Sequence, residues 1–152
     1  SERDQARQFI DRLVRHDGEG RLQQMLFEQF SGPIRTLLDN RFVFEPFWRA
    51  LREHDASNGW ERQFDSARKL AMRALMTRQT GVVLSIIADR LYVLRNQLMH
   101  GGATWNSAAN RQQLHDAVAI LAAMVPEIIG LMIDHPEPDQ SGITFPMLDA
   151  LA

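Results

Sequence analysis

The sequence predicts an all-α fold, a single helical bundle whose core consists of long antiparallel helices. Apolar residues recur at spacings of three and four along most of the chain, and segments rich in Gly, Pro and Asp interrupt them. The 152 residues suffice for one domain and are too few for two domains of typical size. We therefore predict one domain over residues 1–152, with a core at 60–134, additional N-terminal helices at 1–59 and a tail at 135–152.

The beginning of the chain is predicted to form two helices separated by a clear breaker. Phe9, Leu13 and Val14 have helical spacing in a first helix, which ends near the Asp and Gly residues at 17–20. A second helix with one apolar face covers Leu22 to Phe30.

Residues 31–59 are less regular. After the break at 31–33, Pro33 suits the first turn of a short helix that ends at Leu38. The segment 41–47 fits either an extended piece or a helix, and 55–59 is predicted to be a loop. An aromatic cluster lies between them, and we interpret it as a plug of the core: Phe42, Phe44, Phe47 and Trp48.

Two long helices are predicted next, and the second should be central. The first begins near Trp60 and has basic residues opposite an apolar stripe with small residues, which allow close helix approach. This stripe is Trp60, Phe64, Ala67, Ala71 and Ala74. Thr80 is predicted to cap the following helix, which is apolar on more than one face and runs to a stop at Gly101 and Gly102.

The last helix is predicted to begin near Asn106 or Ser107 and to end at Asp134. Pro126 should bend it or mark its weak point, because proline removes a backbone hydrogen bond. Its apolar stripe is expected at Leu114, Val118, Leu121, Val125, Ile129 and Met132.

Composition and charge exclude several classes of protein. The chain has no cysteine, so disulfides, thiolate metal sites and cysteine nucleophiles are excluded, and we predict a cytoplasmic location. With a net charge of -2, the chain lacks the overall positive field of a dedicated nucleic-acid binder, although residues 61–95 hold seven basic side chains and three acidic ones. No apolar run is expected to reach the roughly 18 residues of a membrane span, and the charged N-terminus has no signal-peptide core.

The segment Arg95–Gly102 is the remaining candidate for chemistry, because metalloprotease, phosphate-loop, serine-nucleophile and di-metal templates are missing from the sequence. Asn96 and His100 are four residues apart, so they share one face of a helix within hydrogen-bond reach. A histidine held through one ring nitrogen can move protons with the other. Gly101 lets the chain turn away after His100, which opens that helix end to a ligand.

Arg95 completes a possible acid–base site but introduces a geometric constraint. The helix C-terminus favours a protonated His100 and Arg95 disfavours it, so this histidine can act as acid or base near neutral pH. Arg95 can stabilise a phosphate that gains charge in the transition state. The two residues are five apart and diverge by roughly 140° on an ideal helix. They meet only if the helix unwinds before His100, if the arginine reaches round, or if a second subunit contributes.

The sequence Arg95-Asn96-x-x-x-His100-Gly101 resembles the signature of the HEPN superfamily, an arginine and a histidine separated by a few residues, and it is most similar to the Apea-like branch. The resemblance implies a helical bundle that dimerises through its motif helices and cleaves RNA without a metal ion or other cofactor. The 2′-hydroxyl would attack the adjacent phosphate and leave a 2′,3′-cyclic end. His100 would be general base or acid, Arg95 would stabilise the phosphorane, and Asn96 would orient His100 or the phosphate. Such domains often act as toxins or effectors in toxin–antitoxin and phage-defence systems.

Two further residues are assigned to substrate binding, Arg90 and Trp105, and Trp105 can either stack on a base or plug the helix end. The five histidines lack ligand spacing, so no metal site is predicted. We predict a homodimer that acts on RNA, with no metal, cofactor or membrane partner. The second hypothesis is a non-catalytic helical module that dimerises or binds RNA or nucleotide within a larger protein.

Overall fold

The computed structural model describes residues 1–99 and 108–135. Within these ranges the chain forms seven α-helices and no β-strand, which confirms the predicted all-α helical bundle. The helices are α1 (Glu2–His16), α2 (Arg21–Gln24), α3 (Ser31–Leu38), α4 (Glu45–Arg52), α5 (Gly59–Met76), α6 (Thr80–Met99) and α7 (Ala108–Asp134). A π-helical segment, Met25–Gln29, continues α2, and a 3-10 turn, Arg41–Val43, precedes α4.

A single acidic side chain organises the turn between α1 and α2. The Asp17 carboxylate accepts hydrogen bonds from the backbone N–H groups of Arg21 and Leu22, each at 3.0 Å. Gly20 has a φ of +68°, a left-handed conformation in which a side chain would be strained. These contacts explain why the predicted breaker at 17–20 ends α1 and starts the next helix at once.

The ambiguous segment 41–47 contains a turn followed by a helix. The Asn40 side chain accepts from the backbone N–H of Phe42 at 2.8 Å, and Phe44 is extended before α4 begins. The Trp48 indole donates to the Phe42 carbonyl, also at 2.8 Å. The aromatic rings pack edge to face, with 5.5 Å between the centroids of Phe42 and Phe47. Phe44 is buried and the other three rings are half-buried, and the interpretation of the cluster as a plug of the core stays a prediction.

The core surrounds α6, which contacts α1, α3, α5 and the 3-10 turn. Helix α3 packs mainly against α7, and α1 contacts α7 as well. The N-terminal helices therefore share one hydrophobic core with residues 60–134. Its most deeply buried side chains come from both parts of the chain: Leu22, Leu26, Ile34, Leu37, Leu38, Val43, Val83, Ile87 and Ile120.

The prediction that Thr80 caps α6 is wrong. Thr80 is the first residue of the helix, and the backbone N–H of Val83 donates instead to the Gln79 carbonyl at 3.0 Å. The Thr80 hydroxyl oxygen is buried without a hydrogen-bond partner. An unpaired buried hydroxyl costs free energy of folding, so packing against the core determines the position of Thr80.

The stripe predicted to bury α7 points largely outward. Val118, Val125 and Ile129 are 57%, 43% and 50% exposed, whereas Ala117 and Ile120 are buried. The helix is apolar on two faces, and the face with the small Ala117 packs into the bundle because it allows close approach. Helix α7 continues through Pro126.

The expectation of no membrane-length apolar run is also wrong. The segment Leu114–Asp134 is long and apolar enough to cross a membrane by length and composition, with a mean hydropathy of 2.0, and 17% of this window is buried. Asp116 and Glu127 divide it into shorter uncharged runs in the sequence. Two isolated acidic residues do not lower the mean hydropathy of the segment below the level typical of a membrane span.

Candidate functional site

The motif helix α6 is regular up to Met99, the last described residue before the gap at 100–107. Two predicted site residues, His100 and Trp105, lie outside the described residues. Because α6 does not unwind between Arg95 and Met99, one of the three ways for Arg95 to meet His100 is removed for that stretch. Two ways remain for Arg95 to meet His100: the arginine side chain reaches round the helix, or a second subunit contributes one of the two residues.

Arg95 and Asn96 contact each other near the end of α6. The Arg95 Nη1 atom donates a long hydrogen bond of 3.4 Å to the Asn96 amide oxygen. Both side chains are half-buried. The contact positions the guanidinium beside the amide and leaves the Asn96 amino group as a donor for another partner.

A cleft of about 400 Å³ lies between α6 on one side and α4 with the end of the 3-10 turn on the other. Asn96 lines this cleft, and Arg95 lies outside its lining. The predicted substrate-binding residue Arg90 lines it as well, so the structure brings two of the five predicted site residues to one cavity. The polar and aromatic lining includes Trp48, Arg49, Arg52, Arg90, Tyr92 and Asn96.

Arg90 is the most unusual side chain of the cleft. It is only 7% exposed, and its Nε atom is buried without a hydrogen-bond partner. The guanidinium carbon lies 4.6 Å from the centre of the Phe44 ring, in cation–π contact. Burial lowers the pKa of Arg90 from its usual value, and the neighbouring Asp89 carboxylate acts in the opposite direction.

Helix α4 supplies two arginines that share one carboxylate at the cleft. Arg49 and Arg52 each donate from Nη2 to Glu45, at 2.5 Å and 3.0 Å, and both side chains are largely exposed. The charged lining therefore comprises three guanidinium groups (Arg49, Arg52, Arg90) and two carboxylates (Glu45, Asp89), a net charge of +1.

The charged side chains that α4 contributes to the cleft were not predicted from the sequence. The pattern Glu45-x-x-x-Arg49-x-x-Arg52 places all three charges on one helix face and could have revealed it. The aromatic residues around it favoured a purely structural interpretation. Trp48 combines both roles, because it packs against Phe47 and also lines the cleft.

A second, more open depression of about 690 Å³ is lined by Asp39, Glu61 and Asp65 together with Trp60 and Phe64. In the two described ranges, no group of three or more histidine, aspartate or glutamate side chains is arranged to hold a metal ion. No family model, curated protein or solved structure matches the chain. The chemistry proposed for this protein therefore rests on its own residues.

Proposed function

We propose that this protein is a metal-independent endoribonuclease of the HEPN type, with Arg95, Asn96 and His100 as its catalytic group. The observation that carries the proposal is the contact between Arg95 and Asn96 at the end of an uninterrupted α6, beside a cleft of net positive charge. A guanidinium held next to an amide presents several fixed donors to a phosphate. Such preorganised donors stabilise charge that develops in a phosphoryl transition state.

The reaction follows from these groups. His100 takes the proton of the 2′-hydroxyl, and the oxygen attacks the adjacent phosphorus. Arg95 stabilises the additional negative charge of the phosphorane. The bond from phosphorus to the 5′-oxygen then breaks, an imidazolium protonates the leaving oxygen, and a 2′,3′-cyclic phosphate remains. Every step is a proton transfer or a phosphoryl transfer, so the reaction consumes no oxidant, reductant or metal ion.

A homodimer is part of the proposal, because α6 is regular from Arg95 to Met99 and residues five apart on a regular helix diverge. Two such helix ends facing each other would combine the arginine of one chain with the histidine of the other. The outward apolar face of α7 supplies a surface for this association. Leu98 and Met99 at the end of α6 are exposed apolar side chains as well, and a second copy can cover them at the motif helix.

Replacement of Ile129 by Asp is expected to convert the dimer into a monomer, because it puts a charge on the apolar face of α7 that we propose as the interface. Light scattering coupled to size-exclusion chromatography measures the mass. The control is Leu70→Asp, a similarly exposed apolar residue on α5, which should remain dimeric. A monomeric wild-type chain, or a dimer that tolerates Ile129→Asp, contradicts the assignment. Binding of the wild type to liposomes with no dimer in solution would assign the α7 face to a membrane instead.

Cleavage itself is tested with the wild-type chain, an RNA oligonucleotide of mixed sequence and a DNA oligonucleotide of the same sequence, all in EDTA. We expect cleavage of the RNA alone, because DNA lacks the 2′-hydroxyl nucleophile. Binding of RNA without cleavage would favour the non-catalytic nucleotide-binding module. We further propose a cytoplasmic toxin or phage-defence effector, since RNA cleavage by an unregulated domain damages the cell that contains it.

A further inference from the structure

The buried guanidinium of Arg90 has a neighbouring carboxylate, Asp89, in the lining of the cleft, but its Nε atom has no hydrogen-bond acceptor. This Nε donates to no acceptor, and the guanidinium lies over the face of the Phe44 ring. A buried cation without a hydrogen-bonding anion is costly, so proteins pair such groups or use them to bind a ligand. Asp89, at the preceding position of α6, is exposed, and its carboxylate acts on Arg90 through its charge without accepting from the buried Nε.

The rest of the cleft suits the phosphate and base of a nucleotide. Arg49 and Arg52 are held by Glu45 at the opening, where they can attract an anion before it reaches Arg90. The Trp48 ring is fixed by its hydrogen bond to Phe42, and Tyr92 lines the same cavity with an exposed phenol. Aromatic rings stack on bases, and a volume of about 400 Å³ lies within the usual range for small-molecule pockets.

We propose that the cleft between α4 and α6 binds the phosphate of a nucleotide through Arg90, separately from the catalytic group at the end of α6. Asn96 belongs to both places, because it lines the cleft and accepts from Arg95. A ligand held by Arg90 can therefore contact Asn96 of the motif as well. The identification of RNA as the natural source of this phosphate rests on the proposed function. The proposal that the cleft binds a phosphate does not rest on it.

Isothermal titration calorimetry with the full chain tests the site. The probes are adenosine 5′-monophosphate, adenosine, and a 2′-O-methyl RNA oligonucleotide, which cannot be cleaved. We expect the monophosphate or the oligonucleotide to bind and adenosine to bind far more weakly. Binding of the oligonucleotide alone identifies a strand as the ligand, and binding of the monophosphate alone identifies a free nucleotide. Failure of both, or equal binding of adenosine and its monophosphate, overturns the proposal.

The variant Arg90→Met tests whether Arg90 binds the ligand or only supports the fold. Methionine keeps an apolar contact with Phe44, and the variant loses no hydrogen bond from Nε, because Nε donates to no protein acceptor. The melting temperature should therefore stay close to that of the wild type. Phosphate binding should weaken roughly ten- to hundredfold, the effect of losing charge-assisted hydrogen bonds. The control is Arg62→Met on the exposed face of α5, which should bind normally.

Arg52→Glu is the second variant and keeps the test valid if Arg90→Met fails to fold. It reverses a charge at the exposed opening of the cleft and should also weaken binding several-fold. Unchanged binding in either folded variant overturns the site. RNA cleavage without phosphate binding in the cleft would reject this site alone, and phosphate binding without cleavage would reject the proposed ribonuclease alone.

Discussion

Arg95→Ala and His100→Ala are each expected to lower the rate of RNA cleavage in EDTA by about a hundred- to ten-thousandfold. Loss of His100 removes the group that transfers the protons, and loss of Arg95 leaves the phosphorane charge without its guanidinium. Asn96→Ala should have a smaller effect in the same direction, because Asn96 positions Arg95 through their hydrogen bond. The measurement is the initial rate of oligonucleotide cleavage.

Matched controls separate a catalytic effect from a general one. Arg62→Ala removes an exposed arginine of α5, and His54→Ala removes an exposed histidine that follows α4. Both variants should cleave RNA at the wild-type rate. Unchanged cleavage in Arg95→Ala and His100→Ala would reject the site, and a comparable loss in the two controls would assign the effect to folding.

Ile87→Ala is expected to lower the free energy of unfolding by about 2–5 kcal/mol, because it leaves a cavity in the centre of the bundle. Ile87 is 0% exposed on α6, the helix that contacts α1, α3 and α5. Urea denaturation followed by circular dichroism measures the change. Val82→Ala on the same helix is the control, since Val82 is 39% exposed and its truncation should cost about 0.5 kcal/mol or less. Equal losses at both positions would contradict the central place of α6.

The helices of this bundle were largely predictable because their boundaries carry local chemical signals. Asp17 and Gly20 end one helix and start the next, and the apolar faces of α5 and α6 follow helical spacing. Which face of α7 is buried was not predictable. Both of its faces are apolar, and the tertiary neighbours α1, α2 and α3 decide between them.

The site was predictable only in the part that lies on one helix. The neighbouring positions of Arg95 and Asn96 follow from the motif. The cleft with Arg90 could not be derived, because it requires residues of α4 and α6, some forty positions apart in the chain, to line one cavity. The burial of Arg90 against Phe44 likewise depends on that tertiary contact. Local spacing determines which residues share a helix face, and it does not determine what another helix brings to that face.

The chemical nature of the product ends distinguishes attack by the 2′-hydroxyl from hydrolysis by water. Wild-type protein is incubated in EDTA with an RNA oligonucleotide, and the fragments are analysed by mass spectrometry. We expect a 2′,3′-cyclic phosphate at each new 3′ end and a hydroxyl at each new 5′ end, with no cut where the nucleotide carries a 2′-O-methyl group. An intact oligonucleotide, or fragments that end in 3′-hydroxyl and 5′-phosphate, would contradict this expectation.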